Sequence, residues 1–256
     1  MELPPITPET TAPARPFARS IYAPRARSSY ATYRLFHGEE PPTLSIKDQV
    51  AVTIAERIVE QRLKPGQRIA EQAIADEFSV SKAPVSEALM LLEYNGLVEA
   101  SARRSAHVAR MSATDLQELM EYRFALLGAV VPRFVERHSP ADRKLLHDYL
   151  DHMEELAADD ARWFEFAEVA DRSIIYIAMQ AGNRRIARAI SPLSLQLLRY
   201  LAVGTRTARQ RKQLLAAWSE MFRILDTRDA KRLMAQAAQT RDLIFAEAFE
   251  ALQVAA

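Results

Sequence analysis

From Ser112 to the C-terminus, apolar residues recur every three or four positions through one segment after another. That spacing lines up one face of an α-helix, and it constrains the fold more than any other feature of the chain. Ser112 suits the N-cap of ATDLQELMEYRFALLGAVVPRFVERH, where Leu116, Leu119, Met120, Phe124, Leu127 and Val131 keep the period and Pro132 predicts a kink. Ser139-Pro140 opens the next helix, with Leu145, Leu146, Leu150, Met153 and Leu156 on its apolar face. Trp163 to Met179, Arg184 to Thr205, QLLAAWSEMFRIL and DAKRLMAQAAQTRDLIFAEAFEAL continue the pattern. Residues 112–256 therefore read as an all-α antiparallel bundle of about six helices. Only six Gly occur in 256 residues, and Ala, Leu, Arg and Glu dominate, so propensity points the same way. No repeat period recurs, which argues against a solenoid.

Residues 44–111 are patterned differently. Ser45 suits the N-cap of a helix bearing Val50, Ile54, Ile58 and Leu63, and Pro65-Gly66 fits the central positions of a type II turn. A short helix is expected next, carrying Ile69, Ala73, Ile74 and Phe78, joined by Ser79-Val80 to a second one from Ser81 to about Asn95. Ser81 is placed to cap that helix, Pro84 falls in its first turn, and Gly96 supplies the left-handed stop. Val85, Ala88, Leu89, Leu92 and Leu97 point one way, while Lys82, Ser86, Glu87, Met90 and Glu93 point the other. Leu97 to Ala100 and Ala106 to Arg110 alternate as two short strands joined by SARRS. Two short helices with a tight turn, followed by a hairpin, make a winged helix-turn-helix. In that motif the start of the second helix faces the DNA major groove, and a Ser-Lys start aims free N–H groups and a cation at phosphate. Ser81, Lys82, Ala83, Pro84 and Ser86, with Arg103 and Arg104 of the wing, are the candidate DNA-binding residues. The protein is thus expected to be mainly α, a winged helix-turn-helix followed by a bundle.

Residues 1–43 read as a disordered leader, with recurrent Pro and scattered Arg but no apolar period. Cys is absent, which excludes disulfides, thiolate metal sites and Cys nucleophiles and fits a reducing, cytoplasmic setting. No apolar run approaches the ~20 residues of a membrane span, and the N-terminus has no signal-peptide core. Net charge is +1, so no partner follows from bulk charge. No G-x-S-x-G, H-E-x-x-H or phosphate loop occurs, so an enzyme is not expected and nothing asks for a cofactor.

The stretch LKPGQRIAEQAIADEFSVSKAPVSEALMLLEYNGLVEA resembles the GntR family of bacterial transcription regulators, whose wording at its centre is close to V-S-R-T-P-V-R-E-A-L. The bundle resembles the FCD ligand-binding domain of the FadR-like subgroup, through MEYRFALLGAV, the AGN of Ala181 to Asn183, and RDAKRLMAQ. The resemblance implies a homodimer on double-stranded operator DNA with a small-molecule effector in each bundle. Lys82 and Ser86 stand where the family carries Arg, so phosphate contact survives while guanine readout is altered. Residues 44–111 carry nine cations and nine anions, so non-specific affinity should be modest.

Many FCD domains hold a divalent metal with one Asp and three His. Of the five His here, His37, His107, His138, His147 and His152, none follows residue 152. Matching on Asn183 and Asp229 puts Asp171 or Ala170 at the family's Asp, Ile174 or Ile175 at the first His, and residues near Trp218 and Thr240 at the others. One carboxylate among such residues cannot fill a metal's coordination shell, so no metal is expected. An apolar, aromatic pocket remains, from Ile174, Ile175, Tyr176, Trp218, Met221, Phe222, Leu243 and Ile244. Arg123 stands where the subgroup keeps an Arg facing the ligand, which suggests an organic acid or acyl-type effector. The effector-binding candidates are Arg123, Asp171, Ile174, Ile175, Asn183 and Trp218. His147 with Asp151, and Asp148 with His152, are read as surface pairs. These readings give a ligand-responsive regulator, a repressor by preference; the alternative is a degenerate paralogue with weak DNA binding that acts as a ligand- or protein-binding module.

Overall fold

The computed structural model describes residues 44–100 and 105–254. The leader over residues 1–43 and the wing residues Arg103 and Arg104 lie outside the described residues. Helix α1 (Ile46–Val59) starts at Ser45, whose hydroxyl accepts the Asp48 N–H at 3.3 Å, and it buries Val50, Ile54 and Ile58. The chain leaves it through Gln61 at φ +58, so Leu63 packs from a loop and not from the helix. At Pro65-Gly66 the Gln67 N–H donates to the Lys64 carbonyl at 2.9 Å with Gly66 at φ +74, the geometry of a type II turn.

Beyond the turn, Arg68–Ile69 form a short strand, β1, and not the start of the expected helix. Strand β1 is antiparallel to β3 (Ala106–Val108), which pairs in turn with β2 (Val98–Ala100), giving the order β1-β3-β2. Two residues are too few to show alternation, and pairing Ile69 with Ala106 is a long-range gain the local sequence does not announce. Helix α2 (Glu71–Phe78) ends at Ser79 in the left-handed region, φ 53. The Val80 N–H then donates to Ala75 at 2.9 Å and turns the chain into α3 (Lys82–Tyr94).

Gly96, at φ +70, stops α3, with the Leu97 N–H reaching the Leu92 carbonyl at 2.9 Å. A Cβ there would lie 2.8 Å from the Gln196 side chain. That amide can swing aside, so the backbone sets the cost: Gly96→Ala should destabilise the protein by about 1–2 kcal/mol, the penalty of a left-handed L-residue. A fall in the urea midpoint at unchanged slope would show it.

The bundle comprises α4 (Ala113–Arg137), α5 (Pro140–Ala157), α6 (Trp163–Gln180), α7 (Arg184–Val203), α8 (Ala208–Leu225) and α9 (Ala230–Val254). Ser112 caps α4, and Ser139 with Asp142 forms a capping box on α5. Helix α4 continues through Pro132 as one element, since Val130, Val131, Phe134 and Val135 are buried on both sides of it. Leu198, Leu201 and Ala202 of α7 join the main bundle core. Leu193, Leu197 and Tyr200 pack with Leu116 and Ala248 in a smaller cluster, while Leu195 sits in the core of the winged module. Helix α7 therefore belongs to both cores. Two hydrogen bonds reinforce the junction: Arg199 donates to the Ala109 carbonyl, and the Ser112 N–H donates to Tyr200 Oη at 3.2 Å. Among the described residues no helix is long and apolar enough to cross a membrane.

Candidate functional site

The DNA-facing candidates sit at the start of α3. Ser81, Lys82, Ala83 and Ser86 are exposed, and Pro84 is half-buried in the first turn. Ser81 occupies the N-cap position with extended backbone, but its hydroxyl accepts no helix N–H. This corrects the expected cap: the first-turn N–H groups stay available to an outside acceptor, where the helix dipole favours an anion. Lys82 has no ion-pair partner among the described residues. Arg57, by contrast, is engaged by Glu77 on α2 at 2.9 Å; that bond raises the pKa of the guanidinium and lowers that of the carboxyl. Farther along the exposed side of α3 stand Met90 and Tyr94, 59% and 88% exposed; sequence reasoning did not single out Tyr94.

Five bundle helices line an apolar cavity of about 80 Å³. Helix α4 contributes Arg123 and Phe124, α6 Asp171 and Ile174, and α7 Leu197 and Leu201. Helix α8 adds Trp218 and Met221, and α9 adds Thr240, Arg241 and Ile244. Arg123 Nη1 donates to Asp171 Oδ1 at 2.5 Å, with both residues buried. Trp218 Nε1 donates to Ser173 Oγ at 3.1 Å, and Thr240 Oγ1 to the Gln236 carbonyl at 3.0 Å, so these polar groups are already used. Arg241 lies over the Phe124 ring, 4.5 Å from its centroid, and brings a second cation to the wall.

The structure thus places Arg123, Asp171, Ile174 and Trp218 around one space. It does not bring Ile175 and Asn183 there. Ile175 is one helical position, about 100°, round from Ile174 and is buried in the bundle core. Asn183 is the N-cap of α7, its side-chain oxygen accepting the N–H groups of Arg185 and Ile186 at 3.1 and 3.2 Å. Of the other pocket candidates, Tyr176, Phe222 and Leu243 pack in or against the core. Arg241, Leu197 and Leu201 were missed; their i, i+4 spacing on α7 is a signal for the two leucines, and Arg241 gave none.

Positions matched to the family's metal shell converge on this cavity as Asp171, Ile174, Trp218 and Thr240. Ile and Trp offer no ligand atom, Thr240 is turned to a backbone carbonyl, and the single carboxylate is held by Arg123. This set does not fit a divalent cation. Among the described residues no group of three His, Cys, Asp or Glu could hold one. The histidine pairs also differ from expectation. His147 faces Asp226 at 3.3 Å, and Asp148 pairs with Lys144 at 2.8 Å. His152 is no surface residue: it is buried, with Nδ1 3.2 Å from Glu155.

Residues 46–108 match the model of the gntR family of bacterial regulatory proteins, and residues 118–242 match that of the FCD domain. YdhC, an HTH-type transcriptional regulator of Bacillus subtilis (strain 168), is 32% identical over 91 residues, covering 36% of this chain and 41% of that protein. RspR, an HTH-type transcriptional repressor of Escherichia coli (strain K12), is 26% identical over 130 residues, covering 51% and 57% respectively. The chain therefore spans only about two-fifths to somewhat over half of these curated relatives. Among solved structures, E. coli McbR/YncC superposes with a TM-score of 0.71 over 81% of this chain and 99% of that one. At 19% identity that likeness concerns the fold alone.

Proposed function

Because the chain belongs to the GntR family of bacterial regulatory proteins and carries an FCD domain behind its DNA-binding domain, we propose that it binds operator DNA as a homodimer and represses transcription until a small organic acid occupies the bundle cavity. Residues 44–111 serve the DNA in this reading, and residues 112–256 serve the effector and dimerisation. The observation that carries it is the dual membership of α7. Leu197 and Leu201 line the cavity, while Leu195 of the same helix is fixed in the winged module's core. A ligand that prefers one position of α7 shifts the winged module with it, which is the differential affinity that coupling requires.

The cavity favours a compact ligand. At about 80 Å³ it falls below the ~300 Å³ of ordinary small-molecule sites, so a short-chain acid suits it better than a long acyl chain. The acid's anionic head meets Arg241 and the N–H groups of Arg123 that Asp171 leaves over, and its apolar part lies among Ile174, Leu197 and Trp218. RspR, a relative by sequence, is named a repressor, which agrees with the direction of regulation proposed.

On DNA, the free first turn of α3 and Lys82 take phosphate, Ala83 and Ser86 face base edges, and Arg103 and Arg104 extend the contact from the wing. The test is a salt titration of binding to the DNA upstream of its own gene. Lys82→Ala should weaken nanomolar, competitor-resistant binding about ten-fold and reduce the slope of log K against log salt by about one. Weak binding that ignores sequence, equal in both proteins, would favour the degenerate paralogue instead; the exposed Met90 and Tyr94 would then be the surface to pursue.

A further inference from the structure

A second cavity, of about 450 Å³, lies where the winged module meets the bundle. Glu99 and Arg110 line it from the winged side, Asp115 and Glu118 from α4, and Arg199 from α7. Its size falls within the ~300–1,000 Å³ of small-molecule sites. Arg199 is its distinctive group. The residue is only 3% exposed, yet among the described residues its guanidinium makes a single hydrogen bond, to the Ala109 carbonyl, and no ion pair. Burial draws its pKa below the usual guanidinium value, against the fields of Tyr200, Glu99 and Asp115. Its remaining N–H groups are available to an anion in the cavity, where a charge-assisted bond is stronger than one to water.

The rim has the opposite sign. Asp115 is turned to Ser112 and Glu99 to the Arg110 N–H, while Glu118 has no hydrogen-bond or ionic partner among the described residues. Three carboxylates against the one guanidinium of Arg110 leave the lining outside Arg199 net negative, which disfavours a ligand that is only anionic, while Arg199 disfavours one that is only cationic.

We propose that this junction cavity binds a small zwitterion, its carboxylate seated on Arg199 and its ammonium held by Glu118 and Asp115. The class is that of free amino acids. Since both modules form the walls, occupancy favours one relative placement of the two, so the ligand and DNA each change the other's affinity. The site is distinct from the bundle cavity, although α7 serves both.

The experiment titrates the full chain with each of the twenty protein amino acids by calorimetry, with acetate and methylammonium as half-ligands. At least one amino acid is expected to bind below millimolar concentration. Arg199→Lys and Glu118→Gln should each weaken it ten-fold or more, and neither half-ligand should match it. Glu118 is exposed, so its variant tests the site without disturbing the core. No amino-acid binding at 10 mM overturns the proposal, as does acetate binding that is equally tight and equally weakened by Arg199→Lys, or indifference to Glu118→Gln. Binding that vanishes with the double variant Arg123→Met/Asp171→Leu but survives Glu118→Gln would place the ligand in the bundle cavity and also overturn it.

Discussion

Replacing Arg123 by Met is expected to lower stability by about 3–5 kcal/mol, because it strands Asp171 as a buried charge without its partner. Asp171→Leu should cost a similar amount by stranding Arg123. The double variant Arg123→Met/Asp171→Leu should return close to the parent, since a buried ion pair replaced by apolar groups of similar volume is commonly neutral or better. Urea unfolding of the four proteins closes the cycle, and a coupling of several kcal/mol is the expected result. If Arg123→Met instead stays within about 1 kcal/mol of the parent, water reaches the pair and its burial does not strand Asp171. A double variant that folds well, binds DNA and ignores organic acids would show that the pair is kept for its ligand. The fold itself would not need it.

How far the sequence anticipates these features depends on whether a local signal existed. The turn at Pro65-Gly66, the stop at Gly96 and the capping box at Ser139 are local chemistry, and each lies where its residues point. Strand β1 is not local: Ile69 pairs with Ala106, 37 residues further along the chain. In the bundle, period separates a buried face from an exposed one, but α6 and α7 have neighbours on most sides. Period then cannot tell Ile174, which lines the cavity, from Ile175, which fills the core, nor Leu197 from Leu198. Resemblance supplied Arg123 and Asp171 from positions 48 residues apart, and no spacing rule would have paired them. It also misled at Asn183, where a familiar tripeptide marks a helix cap. Charged residues were the hardest to place. Arg199 and Arg211 carry no mark in the sequence, yet both are buried, each donating to a backbone carbonyl from a distant segment, Ala109 and Ala157 respectively.

Arg211→Met is expected to destabilise the fold by about 3–5 kcal/mol through a different route. Arg211 is wholly buried near the start of α8 and holds three backbone carbonyls together. Nε donates to Ala157 at 3.3 Å, and Nη1 to Thr205 at 3.1 Å and Arg206 at 2.9 Å. Nη2 reaches the Asp160 carboxylate, whose side chain is 82% exposed, so that contact adds little. Met fills much of the same space but leaves the carbonyls without donors, and unmade buried hydrogen bonds cost about 1–3 kcal/mol each before relaxation. The carbonyls lie at the end of α5 and in the loop that joins α7 to α8. Their release should loosen the packing of α8 on α5, and with it the wall that carries Trp218. For a chain of this size the loss corresponds to roughly 10 °C in Tm. Arg211→Lys keeps the charge but not the planar fork, so it should recover only part of that fall. Equal melting of the Met variant and the parent would mean that water already serves these carbonyls, and the buried guanidinium would then not be what ties the two segments together.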